Sequence, residues 1–337
     1  MNTRRRLRRK RARRRRSTSS RRSCSTTRAA TRPISTTRSI SATAAATPTP
    51  RRCSPRSATS SMPTRSAGST RAGSARKLAG SGTRHRARSP HEAQRMTQNI
   101  YDDPAFFEGY SRLNRSIHGL DGAPEWPALR ALLPELRGRN VLDLGCGYGW
   151  FSRWAAGQGA ASVLGIDVSA RMLERAASTA AHPAIAYRRA DLETLTLPDA
   201  AFDLAYSSLA FHYVAQLDTL LRTIHRALVP GGRLVFSIEH PVYTAPRRPG
   251  FVVDAQGNRS WPLDGYQREG ERVTDWLAPG VVKQHRTLGT LVNLLIGSGF
   301  TLTHLNEWAP TQAQVDALPA LDEERDRPMM ALVAAQR

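Results

Sequence analysis

Three glycines at alternate positions follow a short apolar run near the middle of the chain. They are Gly145, Gly147 and Gly149, within the run VLDLGCGYG at residues 141–149. Glycine is needed where the backbone turns sharply and a ligand approaches it, because a Cβ would collide there. Loops of this kind serve nucleotides, flavins and methyl donors. The spacing G-x-G-x-G is not that of a dinucleotide site, since Trp150 stands where the third glycine of G-x-G-x-x-G would be.

Two carboxylates follow the next two predicted strands. Asp167 ends the second strand, where a carboxylate can accept hydrogen bonds from the ribose hydroxyls of an adenosine group. Asp191 follows the third strand and can accept from an adenine amino group, while Leu192 packs on the ring. The alternatives are a cap or turn residue for Asp167 and a solvated loop acid for Asp191. Open α/β sheets bind ligands at the carboxyl ends of their strands, so we expect both acids to lie near the glycine loop.

Short apolar runs alternate with helical periodicity, which is typical of βαβ units and a mainly parallel sheet. Ser169 is placed to cap the second helix, and the Pro-Gly-Gly run at 230–232 is predicted to end the third. The last two strands suit an antiparallel pair at one sheet edge. The predicted strands are residues 140–144, 162–166, 185–189, 202–207, 233–239, 301–305 and 329–334, and the predicted helices are residues 150–158, 170–179, 217–228 and 288–296.

The first 95 residues have a composition unlike the rest of the chain. They hold 27 of the 50 Lys and Arg residues, Glu92 as the only acid, and no Phe, Trp or Tyr. Such a segment buries too little apolar surface to offset its chain entropy, which predicts a disordered tail at 1–95 and a folded domain at 96–337. Three interpretations of the tail remain open: upstream sequence translated from a start codon set too early, a polybasic arm that binds nucleic acid or anionic lipid, and a targeting peptide.

Cysteine usage and hydropathy bear on the location of the protein. The three cysteines, Cys24, Cys53 and Cys146, are too scattered for a disulfide framework, which fits a reducing cytosol and predicts a cytoplasmic protein. No apolar run approaches the roughly 18 residues of a membrane span, so no membrane partner is expected.

The region 141–239 resembles class I S-adenosylmethionine-dependent methyltransferases, close to the small-molecule enzymes that include ubiquinone and biotin-pathway methyltransferases. The matching segments are VLDLGCGYG at 141–149, VLGIDVSARMLERA at 163–176, RADLETLTLP at 189–198, FDLAYSSLAFHYV at 202–214 and LVPGGRLVFS at 228–237. The resemblance implies an α/β, Rossmann-like sheet of seven mostly parallel strands, with an antiparallel last strand and helices on both faces.

The same resemblance implies S-adenosylmethionine as cofactor and assigns residues to its parts. Asp143 and the glycine backbone, with Cys146, would face the methionine part. Asp167 with Val168 would face the ribose, and Asp191 with Leu192 the adenine. The methionine amino group would meet the backbone carbonyls of Ser207 or Ser208.

Methyl transfer from a sulfonium needs the nucleophile, methyl and sulfur held in line, so positioning can supply most of the rate. A general base is needed only if the acceptor loses its proton. The candidates at the carboxyl edge of the sheet are His212, Glu239 and His240. His212 can instead cap a helix, and His240, which precedes a proline, can merely shape the turn.

A cap over the acceptor is predicted from two segments, 96–130 and 241–287. The second holds five prolines and is too long for an ordinary loop, which favours a lid or binding loop. Aromatic walls with an Arg suit a planar or partly apolar acceptor that can carry a carboxylate, although any one of these aromatics can equally be core. The predicted substrate residues are Tyr101, Tyr110, Arg115, Trp126 and Tyr243, with Phe106, Phe107, Trp261, Tyr266 and Trp276 as further cap aromatics.

The leading hypothesis is methyl transfer to an O, N or C nucleophile of a small molecule. No acid or His cluster has metal-ligand spacing, and the folded part is slightly acidic, so no metal is expected and nucleic acid only if the basic tail is genuine. The alternatives are a nucleic-acid-modifying enzyme anchored by the tail, a nicotinamide-dependent oxidoreductase, and a non-catalytic module that keeps the cofactor site.

Overall fold

A computed structural model describes residues 97–337 of the chain. The predictions of a disordered tail at 1–95 and of a domain start at Met96 concern residues outside this range. The helices are α1 (Pro104–Ser111), α2 (Asn114–His118), α3 (Trp126–Arg130), α4 (Trp150–Gly157), α5 (Ala170–Thr179), α6 (Leu217–Ala227), α7 (Pro241–Thr244), α8 (Leu288–Gly297), α9 (Gln312–Ala317) and α10 (Glu323–Asp326). The strands are β1 (Asn140–Leu144), β2 (Ser162–Asp167), β3 (Ile185–Arg189), β4 (Phe202–Ser208), β5 (Leu228–Glu239), β6 (Val252–Val253), β7 (Arg259–Ser260), β8 (Gly270–Thr274), β9 (Val281–His285), β10 (Thr301–Glu307) and β11 (Met330–Gln336).

Seven of the strands form one sheet in the order β10-β11-β5-β4-β1-β2-β3. Strands β1 to β5 are mutually parallel, whereas β11 runs antiparallel to β5 and β10 antiparallel to β11. This confirms the predicted Rossmann-like sheet and its antiparallel last strand. The chain leaves β1 toward β2 and later returns to β4 on the other side of β1, so the switch point of the sheet lies beside β1, where such folds bind ligands.

Alternating side chains of the central strands pack in two separate hydrophobic cores, one on each face of the sheet. On β5, Leu234 and Phe236 pack with α6 and α8, while Val235 between them packs on the opposite face with α3 and α4. The same alternation holds on β11. This period of two is the strand signature, and it determines which side chains face the helices on each side of the sheet.

Local signals set the ends of the helices. Ser169 caps α5 by accepting a hydrogen bond from the backbone N–H of Met172, which confirms the predicted cap. Helix α6 ends at Ala227, before the Pro-Gly-Gly run, and β5 already begins at Leu228. Gly231 has a φ of +80°, and the register of β5 against β4 shifts there, so this run makes an irregularity inside β5 instead of ending the helix.

The segment 241–287 is more regular than the predicted loop. It contains the short helix α7, the two-residue pair β6–β7 and a five-residue antiparallel hairpin, β8–β9. In β9, Val281, Lys283 and His285 point inward. Among residues 97–337, no helix is long and apolar enough to cross a bilayer.

Candidate active site

A cavity of about 550 Å³ opens at the carboxyl ends of the parallel strands. Each of β1 to β5 places a residue in its wall at or just beyond its last position: Gly145, Asp167, Asp191, Ser208 and Glu239. The other walls come from the predicted cap segments, from the short 3-10 helix after β4 and from residues near the C-terminal end of the chain. They include Thr97, Gln98, Tyr101, Tyr110, Arg115, His212, Tyr213, Tyr243, Trp276, Gln314, Leu318 and Met329.

The glycine loop has three residues with positive φ, but they serve different purposes. At Gly147, φ is +51° and a Cβ would meet no atom within 4 Å, so a side chain would extend into open space beside the cavity. At Gly145, a Cβ would come within 2.4 Å of the Ala210 Cβ. At Gly149, it would come within 2.2 Å of the Tyr187 hydroxyl, and Gly149 lines neither this cavity nor its smaller neighbour. Gly149 is thus required by packing, which corrects its assignment to the cofactor.

Asp167 lies at the end of β2, beside the glycine loop. Its carboxylate accepts hydrogen bonds from the backbone N–H groups of Gly147 and Ser169, both at 2.9 Å. Burial raises the pKa of Asp167 to about 6, although these hydrogen bonds favour the charged form. Val168 also lines the cavity. The predicted ribose position is therefore occupied by a buried acid that is fixed by two backbone donors.

Asp143 lies near the end of β1, and Cys146 lies within the glycine loop. Both border a second, smaller cavity of about 90 Å³ that shares Gly145 and Gly147 with the first. Asp143 accepts a hydrogen bond from the hydroxyl of Ser152 at 2.6 Å, and burial raises its pKa to about 7. These two residues thus line a cavity that adjoins the main one, and their assignment to the methionine part stays a prediction.

Asp191 and Leu192 line the main cavity beyond the end of β3. The carboxylate of Asp191 accepts hydrogen bonds from the hydroxyl and the backbone N–H of Thr97, at 2.6 and 3.0 Å. It also accepts from the N–H of Glu193, which caps the short 3-10 helix at Leu192–Thr194. The acid at the predicted adenine position thus also fastens the N-terminal segment to the sheet edge.

Of the two serines at the end of β4, Ser208 lines the main cavity and Ser207 does not. The side chain of Ser207 is fully buried and donates a hydrogen bond to the carbonyl of Leu144 at 2.8 Å. The structure therefore favours Ser208 over Ser207 at this wall. Leu209 follows with a φ of +53°, a backbone conformation that costs energy for a residue other than glycine and that is often kept at functional sites.

Glu239, His212 and Lys283 form a buried polar cluster, and the first two line the cavity. The Lys283 ammonium donates to Glu239 Oε1 at 2.5 Å and lies 5.0 Å from the centre of the Trp276 ring. His212 Nδ1 accepts a hydrogen bond from the backbone N–H of Glu239, and burial lowers the pKa of His212 to about 4. This cluster joins the ends of β4 and β5 to the hairpin.

Two other histidines do not face the cavity. His240 Nδ1 accepts from the backbone N–H of Val242, as the N-cap of α7, and Nε2 is paired with Glu307 at 2.9 Å. Its predicted contact with an acceptor is therefore not supported, because both ring nitrogens are engaged away from the cavity. His285 is also structural: it bonds to Thr244 and to the carbonyl of Tyr266.

The predicted substrate aromatics divide between wall and core. Tyr101, Tyr110 and Tyr243 line the cavity, and the Tyr101 hydroxyl lies 3.2 Å from that of Tyr213. Trp126 does not line it: it packs edge-on against Phe151 and Trp154 in the core, which corrects its assignment to the substrate. The other cap aromatics also divide, with Trp276 in the wall and Phe106 fully buried.

Arg115 lines both cavities and is paired with Glu125. One guanidinium nitrogen lies 2.9 and 3.1 Å from the two carboxylate oxygens, and Glu125 is only 1% exposed. A buried carboxylate needs a charged partner, so Arg115 stabilises the fold by pairing with Glu125, besides any contact with a ligand.

The fold brings two further residues into this site that the sequence motifs do not single out. Tyr213 directly follows the candidate His212, and Lys283 lies in the segment 241–287 that is predicted to be a lid or binding loop. Tyr213 lines the cavity and Lys283 pairs with Glu239. A buried lysine inside an otherwise apolar strand pattern is a usable signal, because such a residue requires a carboxylate partner.

The residues present suit an adenosine-type ligand. Gly147 leaves room for a ligand close to the backbone, and the acids at the ends of β2 and β3 both line the same wall. Among residues 97–337, there is no group of three or more His, Cys, Asp and Glu residues that could hold a metal ion.

Comparison with known proteins identifies the family. The model of the methyltransferase domain family matches residues 142–236. The solved S-adenosylmethionine-dependent methyltransferase of Mesorhizobium loti is 59% identical, with a TM-score of 0.63, and the match covers 65% of this chain and 100% of that one. The chain belongs to the S-adenosylmethionine-dependent methyltransferases. It is therefore an enzyme that uses S-adenosylmethionine.

Two further relatives of this methyltransferase bear on its acceptor. A solved protein of Listeria monocytogenes, described as a putative S-adenosylmethionine-dependent methyltransferase, is 38% identical over 65% of this chain and 99% of that one, with a TM-score of 0.61. The malonyl-[acyl-carrier protein] O-methyltransferase of Erwinia billingiae is 44% identical over 103 residues, which are 30% of this chain and 39% of that protein. The methyltransferase thus matches well under half of the relative whose acceptor is named.

Proposed function

We propose that this methyltransferase transfers the methyl group to an O, N or C nucleophile of a small-molecule acceptor by in-line displacement. The supporting observation is the cavity of about 550 Å³, whose wall contains residues from the carboxyl ends of the parallel strands together with Tyr101, Tyr110, Tyr243 and Trp276. Small-molecule sites are typically clefts of roughly 300–1,000 Å³ with apolar and aromatic walls and a few polar groups.

One end of this cavity suits the methyl donor. We assign Asp167 to the ribose hydroxyls, Asp191 and Leu192 to the adenine, and the backbone at Gly147 and Ser208 to the methionine part. S-adenosylmethionine supplies a methyl group already activated on a sulfonium sulfur. The chain has only to orient the donor and the acceptor and to exclude water, which is where positioning lowers the barrier.

The acceptor is assigned to the other end, under a cap formed by residues 96–130 and 241–287. Gln98 of the first segment exchanges hydrogen bonds with Gly280 and Val282 of the second, both at 2.9 Å, and Gln98 lines the cavity, which supports a cap made from both segments. Asp102 of the first segment accepts from the hydroxyl of Ser169 at 2.5 Å, at the start of α5. The cap residues that would contact the acceptor are Tyr101, Tyr110, Arg115 and Tyr243, with Glu239 and His212 from the sheet.

Two macromolecular acceptors are alternatives. A malonyl group on a carrier protein is suggested by the similarity to the Erwinia O-methyltransferase. A nucleic acid requires the basic tail at 1–95 to act as an anchor, because the remaining residues carry a slight excess of acids. The buried free thiol of Cys146 fits our inference that the enzyme works in the cytosol.

The test is to incubate the full chain with isotopically labelled methyl donor and a cell extract divided into dialysable, protein and nucleic-acid fractions. The proposal predicts label in a dialysable compound. Label confined to protein or nucleic acid would overturn it. The Asp167→Ala variant serves as the matched control, since it should lose donor binding and hence label in every fraction.

A further inference from the structure

The polar cluster at the acceptor end presents one unused hydrogen-bond acceptor. Glu239 Oε1 is taken by the Lys283 ammonium, whereas Glu239 Oε2 is buried and has no hydrogen-bond partner among the described residues. Leaving a buried carboxylate oxygen unpaired is costly, so Oε2 is suited to a group that arrives with a ligand. That group must be a donor.

The same cluster presents one donor. Because His212 Nδ1 accepts from the backbone N–H of Glu239, the neutral ring carries its proton on Nε2. Burial keeps the ring neutral at neutral pH by lowering its pKa to about 4. His212 Nε2 lies 3.8 Å from Glu239 Oε1, which is too far for a direct hydrogen bond, so the imidazole N–H stands beside the carboxylate group that carries Oε2.

The charge of the cluster and the hydrogen-bonding capacity of each functional group restrict which group of an acceptor can bond to both His212 Nε2 and Glu239 Oε2. Glu239 and Lys283 neutralise each other, so the cluster does not attract an ionic acceptor. A carboxylate has no proton to give to Glu239, and an ammonium has no lone pair to accept from His212. A neutral amine would use its one lone pair on the His212 N–H and keep none for attack. A hydroxyl oxygen has two lone pairs, one to accept and one to attack.

We propose that the acceptor attacks through a hydroxyl oxygen, of an alcohol, phenol or enol, held between Glu239 Oε2 and His212 Nε2. This inference rests on the proposed function. As the oxygen–methyl bond forms, the methyl–sulfur bond breaks and its electron pair returns to sulfur, giving neutral S-adenosylhomocysteine. The hydroxyl proton passes to Glu239 Oε2 and from there to solvent, and the product is a methyl ether.

The experiment uses the full chain, donor labelled with carbon-13 in its methyl group, and the dialysable extract. The chemical shift of the labelled methyl distinguishes ether, ester, N-methyl and C-methyl products. We expect an ether. Glu239→Gln should lower the transfer rate by roughly 100-fold or more, the scale of a lost general base, with unchanged affinity for S-adenosylhomocysteine. His212→Gln should also lower the rate and leave that affinity unchanged, because it disturbs the acceptor corner and not the donor site.

The matched control is Glu307→Gln, which makes the same change in a side chain that is 56% exposed and lies outside the cavity. It should keep the full rate. An N-methyl, C-methyl or ester product, or an undiminished rate in Glu239→Gln, would overturn the inference but leave the small-molecule proposal standing. Label found only in macromolecules would instead overturn the proposed function itself.

Discussion

The backbone N–H of Gly147 donates a hydrogen bond to Oδ2 of Asp167 at 2.9 Å. This bond joins the loop after β1 to the acid at the end of β2, two pieces that both face the methyl donor in our account. The acid thus orients the loop and is left with lone pairs for the ribose hydroxyls. Changes at either residue should therefore affect binding of the same ligand.

Replacing Asp167 with Ala should weaken binding of S-adenosylhomocysteine by more than about 1 kcal/mol, because hydrogen bonds to a charged group are lost. Calorimetric titration measures this. Asp218→Ala is the matched control, since Asp218 is a partly exposed residue of α6 that does not line the cavity and that accepts hydrogen bonds from Arg222 and Thr219 of the same helix. Equal affinities in the two variants would remove Asp167 from the site.

Replacing Gly147 with Val should abolish donor binding, because the new side chain extends toward the cavity. Both Gly147 and Gly138 have positive φ and open space around a built Cβ, so Val costs about 1–2 kcal/mol of backbone strain at either position. Thermal unfolding should show similar losses in the two variants. Only Gly147→Val should lose binding of S-adenosylhomocysteine; retained binding would place the donor elsewhere.

Donor affinity should fall as the pH drops. The pKa of Asp167 is about 6 in the free enzyme, and its charged form is the one that accepts from two ribose hydroxyls. Below about pH 6 the binding reaction must also remove a proton from Asp167, which weakens affinity by up to roughly tenfold per pH unit. Titrations of S-adenosylhomocysteine across this range test the effect. Asp167→Asn should flatten the profile, and an unchanged slope in that variant would assign the dependence to another group.

The sequence was sufficient to predict the sheet and the glycine loop. Strands β1, β2, β4 and β5 contain apolar runs whose alternate residues pack in the two cores on either face of the sheet, so period and position were enough to predict them. The hairpin β8–β9 was missed for a physical reason. Its inward position 283 is a lysine, which hides the alternation of Val281, Lys283 and His285, and this lysine points inward because Glu239 neutralises it.

The site was less predictable because spacing places a residue at an edge without orienting its side chain. His240 stands next to Glu239, yet its ring caps α7 and pairs with Glu307. Gly149 lies in the same loop as Gly147, yet the Tyr187 side chain fills the space that a Cβ at Gly149 would occupy. In both cases a residue distant in sequence decides the role, and such partners are set by tertiary packing.

Replacing Arg115 with Met should lower the free energy of unfolding by about 3 kcal/mol, because it leaves the buried carboxylate of Glu125 unpaired. Chemical denaturation measures this. Arg112→Met is the control: Arg112 pairs with Glu108 on the surface and should cost less than about 1 kcal/mol. A double variant, Arg115→Met with Glu125→Leu, should recover most of the loss. A single variant as stable as the control would show that the pair has no structural role.

The most direct test of the account is a crystal structure of the full chain with S-adenosylhomocysteine. We expect the ribose hydroxyls to lie within hydrogen-bond distance of Asp167, the adenine beside Leu192 and Asp191, and the sulfur toward the end of the cavity that holds Glu239 and His212. A ligand bound outside this cavity, or bound inside it without contact to Asp167, would contradict the account.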